Sequence, residues 1–69
     1  VTNTLNVQNN DLKNLQIKIF NVLGVEVGVQ LTSKKENIVD MRRFPQGTYM
    51  VNITDTKTLK SIQKLVVKL

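Results

Sequence analysis

A large apolar residue occupies every second position along the stretch Val25-Glu26-Val27-Gly28-Val29-Gln30-Leu31. Successive side chains of an extended chain point to opposite sides, so a period of two is typical of a half-buried β-strand. Residues 15–19 and 48–54 follow a similar pattern, and shorter runs at residues 5–8 and 37–40 indicate further strands. Val and Ile are frequent in these runs, and their branched side chains favour strands over helices. The sequence therefore predicts an all-β fold.

Segments with turn-forming residues separate these runs, at residues 9–11, 21–24, 33–35, 44–47 and 55–58. Asn and Asp support tight turns through their own side chains, Gly accepts a positive φ, and Pro fixes φ. Strands and turns at this spacing are typical of a small β-sandwich or barrel. A chain of 69 residues holds one core, so we expect residues 1–69 to form a single domain.

The end of the chain fits two interpretations. Helical periodicity gathers one apolar face, made of Leu59, Ile62, Leu65, Val66 and Leu69. Strand periodicity instead alternates Leu65 and Val67 with lysines. The run Leu65-Val66-Val67 is rich in β-branched residues, and a hairpin loop precedes it. We therefore predict a strand over about residues 60–68.

The composition excludes several chemistries. The chain has no Cys and no His, which removes disulfides, zinc–thiolate sites, the cysteine nucleophile and the commonest general base. The five carboxylates are scattered, and the three glycines form no phosphate-binding loop. No apolar run reaches the roughly 18–20 residues that span a bilayer. We predict that the chain is not an enzyme, with no catalytic residue, no metal site and no cofactor.

Cationic side chains concentrate in the second part of the chain. Opposite charges balance over residues 1–40, so the net charge of +5 lies in residues 41–69. Four lysines recur near the end, at Lys57, Lys60, Lys64 and Lys68. They could contact nucleic acid or a membrane, but lysines also protect an edge strand from aggregation, and we favour that interpretation.

Two other features have a functional and a structural interpretation. The pair Arg42-Arg43 could hold a phosphate or carboxylate, although a solvated loop pair is the more ordinary outcome. Tyr49 could belong to a binding site, but we expect a core residue whose hydroxyl reaches a backbone group.

Several short motifs follow one another in a fixed order. The strand at residues 15–20 leads into an Asn-x-x-Gly-x-Glu-Val turn at residues 21–27. Then come Ile38-Val39-Asp40, Phe44-Pro45-Gln46-Gly47-Thr48-Tyr49 and a final Lys64-Leu65-Val66-Val67-Lys68. This order resembles the type A C-terminal sorting domain of the type IX (Por) secretion system, over about residues 4–69. The chain lacks the Pro-Asn-Pro-type motif that usually precedes the first strand, and it has Phe44 where Leu is commoner.

The resemblance implies an immunoglobulin-like antiparallel β-sandwich of about six to seven strands, excised from the end of a larger secreted protein. It implies a secretion signal that the type IX translocon recognises in the periplasm and that a surface sortase removes. The cargo would then reach the outer-membrane surface or the medium. By position, the recognition residues would be Gly47, Tyr49, Lys64, Leu65, Val66, Val67 and Lys68. The implied partners are the translocon, the sortase and the cargo domain of the same chain.

Other functions remain open on the sequence alone. The main alternative is a non-catalytic β-sandwich accessory module or carbohydrate-binding module, although three aromatic residues leave few for sugar stacking. A nucleic-acid-binding barrel would need an aromatic platform on one sheet face, and only Phe20 stands on the polar side of its strand. A basic helix over residues 58–69 could lie on an anionic membrane. We expect neither nucleic-acid binding nor stable membrane insertion, whereas self-association through edge strands stays open.

Overall fold

The computed structural model describes residues 3–69, which form six strands and no helix. The strands are β1 (Thr4–Gln8), β2 (Leu15–Phe20), β3 (Glu26–Thr32), β4 (Glu36–Asp40), β5 (Gly47–Asp55) and β6 (Ser61–Lys68). They pair antiparallel in two sheets, one of order β1-β4 and one of order β3-β2-β5-β6. The predicted small antiparallel all-β sandwich is confirmed. The final segment is a strand, so the helical interpretation of residues 58–69 is wrong.

The core lies between the facing sides of the two sheets. Its buried apolar residues come from both sheets and from the β4–β5 connection, and are Val7, Ile17, Ile19, Val39, Met41, Tyr49 and Val51. The register of β2 and β5 sets Ile19 opposite Val51, and both side chains are almost completely buried. Burial of such a side chain stabilises the fold by about 2 kcal/mol. The alternation predicted for these two central strands is therefore confirmed.

Strand β3 departs from the sequence pattern. The pairing with β2 shifts at Ile19 and Phe20, so that Ile19 faces Gly28 while Phe20 faces Glu26. Val27 is the extra residue of this bulge and packs against the core. Beyond the bulge, Val29 and Leu31 turn away from the core and are exposed. The expectation of a strand with one buried apolar face is wrong for this part of β3, because an inserted residue reverses which face each side chain takes.

The two sheets differ in width, and this leaves the edges of the wider one uncovered. A pair of strands cannot shield four, so none of the eight residues of β6 is fully buried. On the side that faces β1, a cleft of about 350 Å³ remains between Leu5, Ile62 and Lys64. Strand β6 is thus an edge strand with side chains accessible on both faces.

Two buried asparagines fasten the connections. The amide of Asn9 donates a 2.7 Å hydrogen bond to the backbone oxygen of Lys13 and accepts one of 3.0 Å from its N–H. The amide of Asn37 donates to the backbone oxygen of Lys34 at 3.1 Å. No buried side-chain nitrogen or oxygen within residues 3–69 lacks a partner. The loops are therefore fixed by local hydrogen bonds as well as by the core.

Candidate functional site

The turn that precedes β5 is closed by Tyr49. The side chain of Tyr49 is buried, and its hydroxyl donates a 2.6 Å hydrogen bond to the backbone oxygen of Pro45. Its ring stacks on that of Phe44, with the ring centroids 5.5 Å apart. The structural interpretation of Tyr49, a core residue whose hydroxyl reaches the backbone, is confirmed.

The last residue of β6 reaches the same turn. The Nζ atom of Lys68 donates a 2.8 Å hydrogen bond to the backbone oxygen of Phe44. Gly47 lies opposite Lys68 in the β5–β6 ladder and has a φ of 150°, which a residue with a Cβ rarely adopts. Three of the seven residues singled out from the sequence, Gly47, Tyr49 and Lys68, therefore meet at one turn.

The other four residues divide between the two faces of β6. Lys64 lies opposite Val51 and Val66 lies opposite Tyr49, so both point to the inner side of the sheet. Leu65 and Val67 point to the outer side, where their side chains are 70% and 52% exposed. The seven residues do not form a single pocket, because alternate positions of a strand face opposite ways.

A further apolar feature crosses the outer face. The strand registers set Phe20 opposite Met50 and Met50 opposite Leu65, which places three large side chains in a row across β2, β5 and β6. A groove of about 470 Å³ runs beside this row and is bounded on one side by Val22 and Gly24 of the β2–β3 turn. Sequence reasoning missed this groove, since only the position of Phe20 on the polar side of its strand pointed to it.

The β2–β3 turn owes its shape to Asn21. The Oδ1 atom of Asn21 accepts hydrogen bonds from the backbone N–H of Leu23 at 2.9 Å and of Val25 at 3.1 Å. Gly24 adopts a left-handed φ of 80° and donates its N–H to the backbone oxygen of Asn21 at 3.0 Å. The Asn-x-x-Gly pattern thus stabilises the turn, because one side chain accepts hydrogen bonds from two backbone donors. This turn forms a wall of the outer groove.

A family model described as "Secretion system C-terminal sorting domain" matches residues 1–68. The chain belongs to this family. It is a sorting signal of the type IX secretion system, and such domains serve secretion across the outer membrane to the cell surface or the extracellular space. The family is one of signals rather than catalysts. Neither the curated proteins nor the solved structures contain a match to the chain.

In this sorting domain, the side chain of Arg42 is already engaged by Asp40 and is not free to bind another anion. The guanidinium of Arg42 donates to both carboxylate oxygens of Asp40, at 3.1 Å and 3.0 Å, and the backbone N–H of Arg42 donates to the same group. These bonds lower the pKa of Asp40 to about 2. Because Asp40 already occupies the planar fork of Arg42, a second carboxylate or phosphate would have to displace it.

Charge also differs between the two edges of the larger sheet. Strand β6 carries Lys64 and Lys68 and no acidic residue, whereas β3 carries Glu26 and no cation. Glu26 is paired with Lys18 at 3.6 Å. The final strand of the sorting domain is therefore the cationic edge of its sheet.

Within the described residues, no three His, Cys, Asp or Glu side chains meet in a way that could hold a metal ion. The same part of the chain contains no helix able to cross a bilayer.

Proposed function

We propose that this sorting domain presents β6 and the turn at residues 44–47 to the type IX translocon, which reads them during export. The proposal rests on one observation above all. Strand β6 is an edge strand with accessible side chains on both faces, and its last residue is tied to the turn by the Lys68–Phe44 hydrogen bond. An accessible edge can be captured by strand addition, in which backbone bonds give affinity and alternate side chains give selectivity.

The seven recognition residues take two roles in this proposal. Gly47, Tyr49 and Lys68 shape the turn, and their contacts are internal. Lys64, Leu65, Val66 and Val67 offer a receptor one cationic and several apolar side chains along a single strand. A rigid turn at one end of the strand would fix the position of the residues that are read.

The proposal extends to the path of the cargo. Residues 1–69 are the single C-terminal domain of a larger secreted protein, and the cargo domain precedes them in the same chain. The cargo passes through the periplasm, where the translocon recognises this domain. A sortase component then removes the domain at the surface, and the cargo stays there or is released.

A reporter fusion tests the proposal. Residues 1–69 are joined to the end of a periplasm-targeted reporter in a cell with an active type IX system. We expect the intact fusion at the surface and in the medium, and a variant lacking residues 64–69 in the periplasm. Surface export that persists without these residues would contradict the proposal. Antibodies to reporter and to domain report cleavage, because a sortase product carries the first epitope and lacks the second.

A second pair of variants separates recognition from folding, since the deletion also removes part of β6. Lys64→Glu reverses a charge on the edge strand, and Lys34→Glu reverses a charge on an exposed loop as the control. We expect reduced export for Lys64→Glu alone, with both purified domains showing the thermal midpoint of the parent. Equal export of the two variants would show that Lys64 is not read.

A further inference from the structure

The outer face of the larger sheet holds an apolar surface that the fold itself does not use. Phe20, Met50 and Leu65 lie in a row on this face, whereas the core lies on the opposite face. Leu65 is 70% exposed, and Val22, on the wall of the groove, is 76% exposed. Contiguous exposed apolar surface on a small protein marks an interaction site more often than chance.

The charge of the neighbouring edge restricts what can cover this surface. Residues 62–66 of β6 contain Lys64 and no acid, and Lys60 and Lys68 flank them. A second copy that paired its own β6 with this edge would bring these lysines beside their counterparts, which is unfavourable. The edge therefore disfavours self-pairing and suits a strand with negative side chains.

Inner-facing and outer-facing side chains alternate along β6, and this alternation sets which type of residue is favoured at each position of a partner strand. A strand added beside β6 places its side chains on the same two faces in turn. Its inner-facing residues would lie next to Lys64, where carboxylates are favoured. Its outer-facing residues would lie next to Leu65, which forms the β6 side of the groove, so a large apolar side chain there would pack against Leu65.

We infer that β6 binds a receptor strand in which acidic and apolar residues alternate, the acidic ones facing Lys64 and a large apolar one packing against Leu65 at the edge of the groove. This inference rests on the proposed function and adds the chemistry of the receptor segment.

A peptide titration tests the inference without the secretion machinery. The probe is the synthetic peptide acetyl-Glu-Val-Glu-Phe-Glu-Val-Glu-amide, added to the ¹⁵N-labelled chain of residues 1–69 and followed by NMR. The control peptide has Lys in place of each Glu. We expect amide shifts in residues 62–66 and at Met50, with affinity for the acidic peptide at least about tenfold higher. No shift with the acidic peptide, equal affinities, or shifts centred on β3 would overturn the inference.

A matched pair of variants locates the site. Leu65 and Leu31 both point outward from an edge strand of the same sheet and are 70% and 71% exposed. We expect Leu65→Asp to abolish binding of the acidic peptide and Leu31→Asp to leave it unchanged, with equal thermal midpoints. Loss of binding in both variants, or in neither, would contradict the groove. Failure here leaves the reporter-export result standing, so the receptor chemistry and the sorting role can fail separately.

Discussion

The hydroxyl of Tyr49 donates a 2.6 Å hydrogen bond to the backbone oxygen of Pro45, four residues earlier in the chain. The bond folds the start of β5 back over the turn that leads into it. Together with the stacked ring of Phe44, it makes the turn part of the core rather than a loose connection.

Tyr49→Phe removes this bond and keeps the ring. We expect a loss of about 1 kcal/mol in the free energy of unfolding, because a part-buried carbonyl loses its donor. For a domain of this size, that loss lowers the thermal midpoint by about 4–8 °C. Circular dichroism melting of the two purified domains is the measurement. An unchanged midpoint would mean that water replaces the hydroxyl without cost.

We expect substitution by alanine to change the free energy of unfolding differently at two glycines of the sandwich. Gly47 has a φ of 150°, so Gly47→Ala strains the backbone and we expect a loss of about 1–3 kcal/mol in unfolding free energy. At Gly28, a Cβ would lie 3.5 Å from the ring of Phe44, an ordinary contact. We expect Gly28→Ala to be neutral or to stabilise the fold by up to about 1 kcal/mol, because alanine reduces the conformational entropy of the unfolded chain. Urea denaturation of both variants measures the difference, and equal losses would refute the argument.

The Asp40–Arg42 pair predicts a contribution to stability that is lost at acid pH. The folded-state pKa of Asp40 is lowered from 3.8 to about 2, first by the side-chain hydrogen bond from Arg42. A carboxyl with a depressed pKa stabilises the fold above its unfolded-state pKa, and the contribution disappears as the pH falls from about 4 to about 2. We expect Arg42→Gln to raise the pKa of Asp40 towards its ordinary value.

Arg43→Gln is the control for this experiment. Arg43 acts on Asp40 through a Coulomb attraction that is weaker than the hydrogen bonds from Arg42, so its loss should shift the pKa of Asp40 less. Carboxyl ¹³C NMR titration measures both variants. Because both side chains of the Asp40–Arg42 pair are exposed, added salt should reduce the effect. Equal shifts in the two variants would contradict the assignment.

The β5–β6 hairpin contains a residue in an unfavourable conformation. Leu59 has a left-handed φ of 63° at the end of the loop and is 77% exposed. Glycine adopts this conformation without a steric penalty, so Leu59→Gly should raise the thermal midpoint by several degrees, equivalent to about 1 kcal/mol. Lys57→Gly is the matched control, because Lys57 lies exposed in the same loop and the positive-φ residues do not include it. A lower midpoint for Leu59→Gly would show that its side chain contributes contacts of its own.

The alternation of apolar and polar residues predicted side-chain burial where burial depends on one strand alone. The alternation in β2 and β5 correctly placed Ile17 and Val51 in the core. In β3 the same pattern failed at Val29 and Leu31, because the bulge opposite Phe20 depends on how two strands pair. No local pattern can indicate such a shift in register.

In the candidate site, too, the sequence predicted local features but not those that depend on strand pairing. The sequence order identified the family, but the contact between Lys68 and Phe44 joins residues 24 positions apart and needs the folded hairpin. The row of Phe20, Met50 and Leu65 depends on the register of three strands, which no single segment encodes. Side-chain direction on β6 was predictable, whereas the neighbours of each side chain were not.

The unequal sheets also determine how the domain responds to force. Among the described residues, strand β1 pairs with β4 alone, over five residue pairs, while β6 is joined to β5 over eight. Tension applied from the N-terminal side would load the β1–β4 ladder first. The β5–β6 hairpin lies in the other sheet and would keep its shape while β1 peels away. A signal placed on that hairpin would therefore keep the conformation that a receptor binds while the residues before it are under tension.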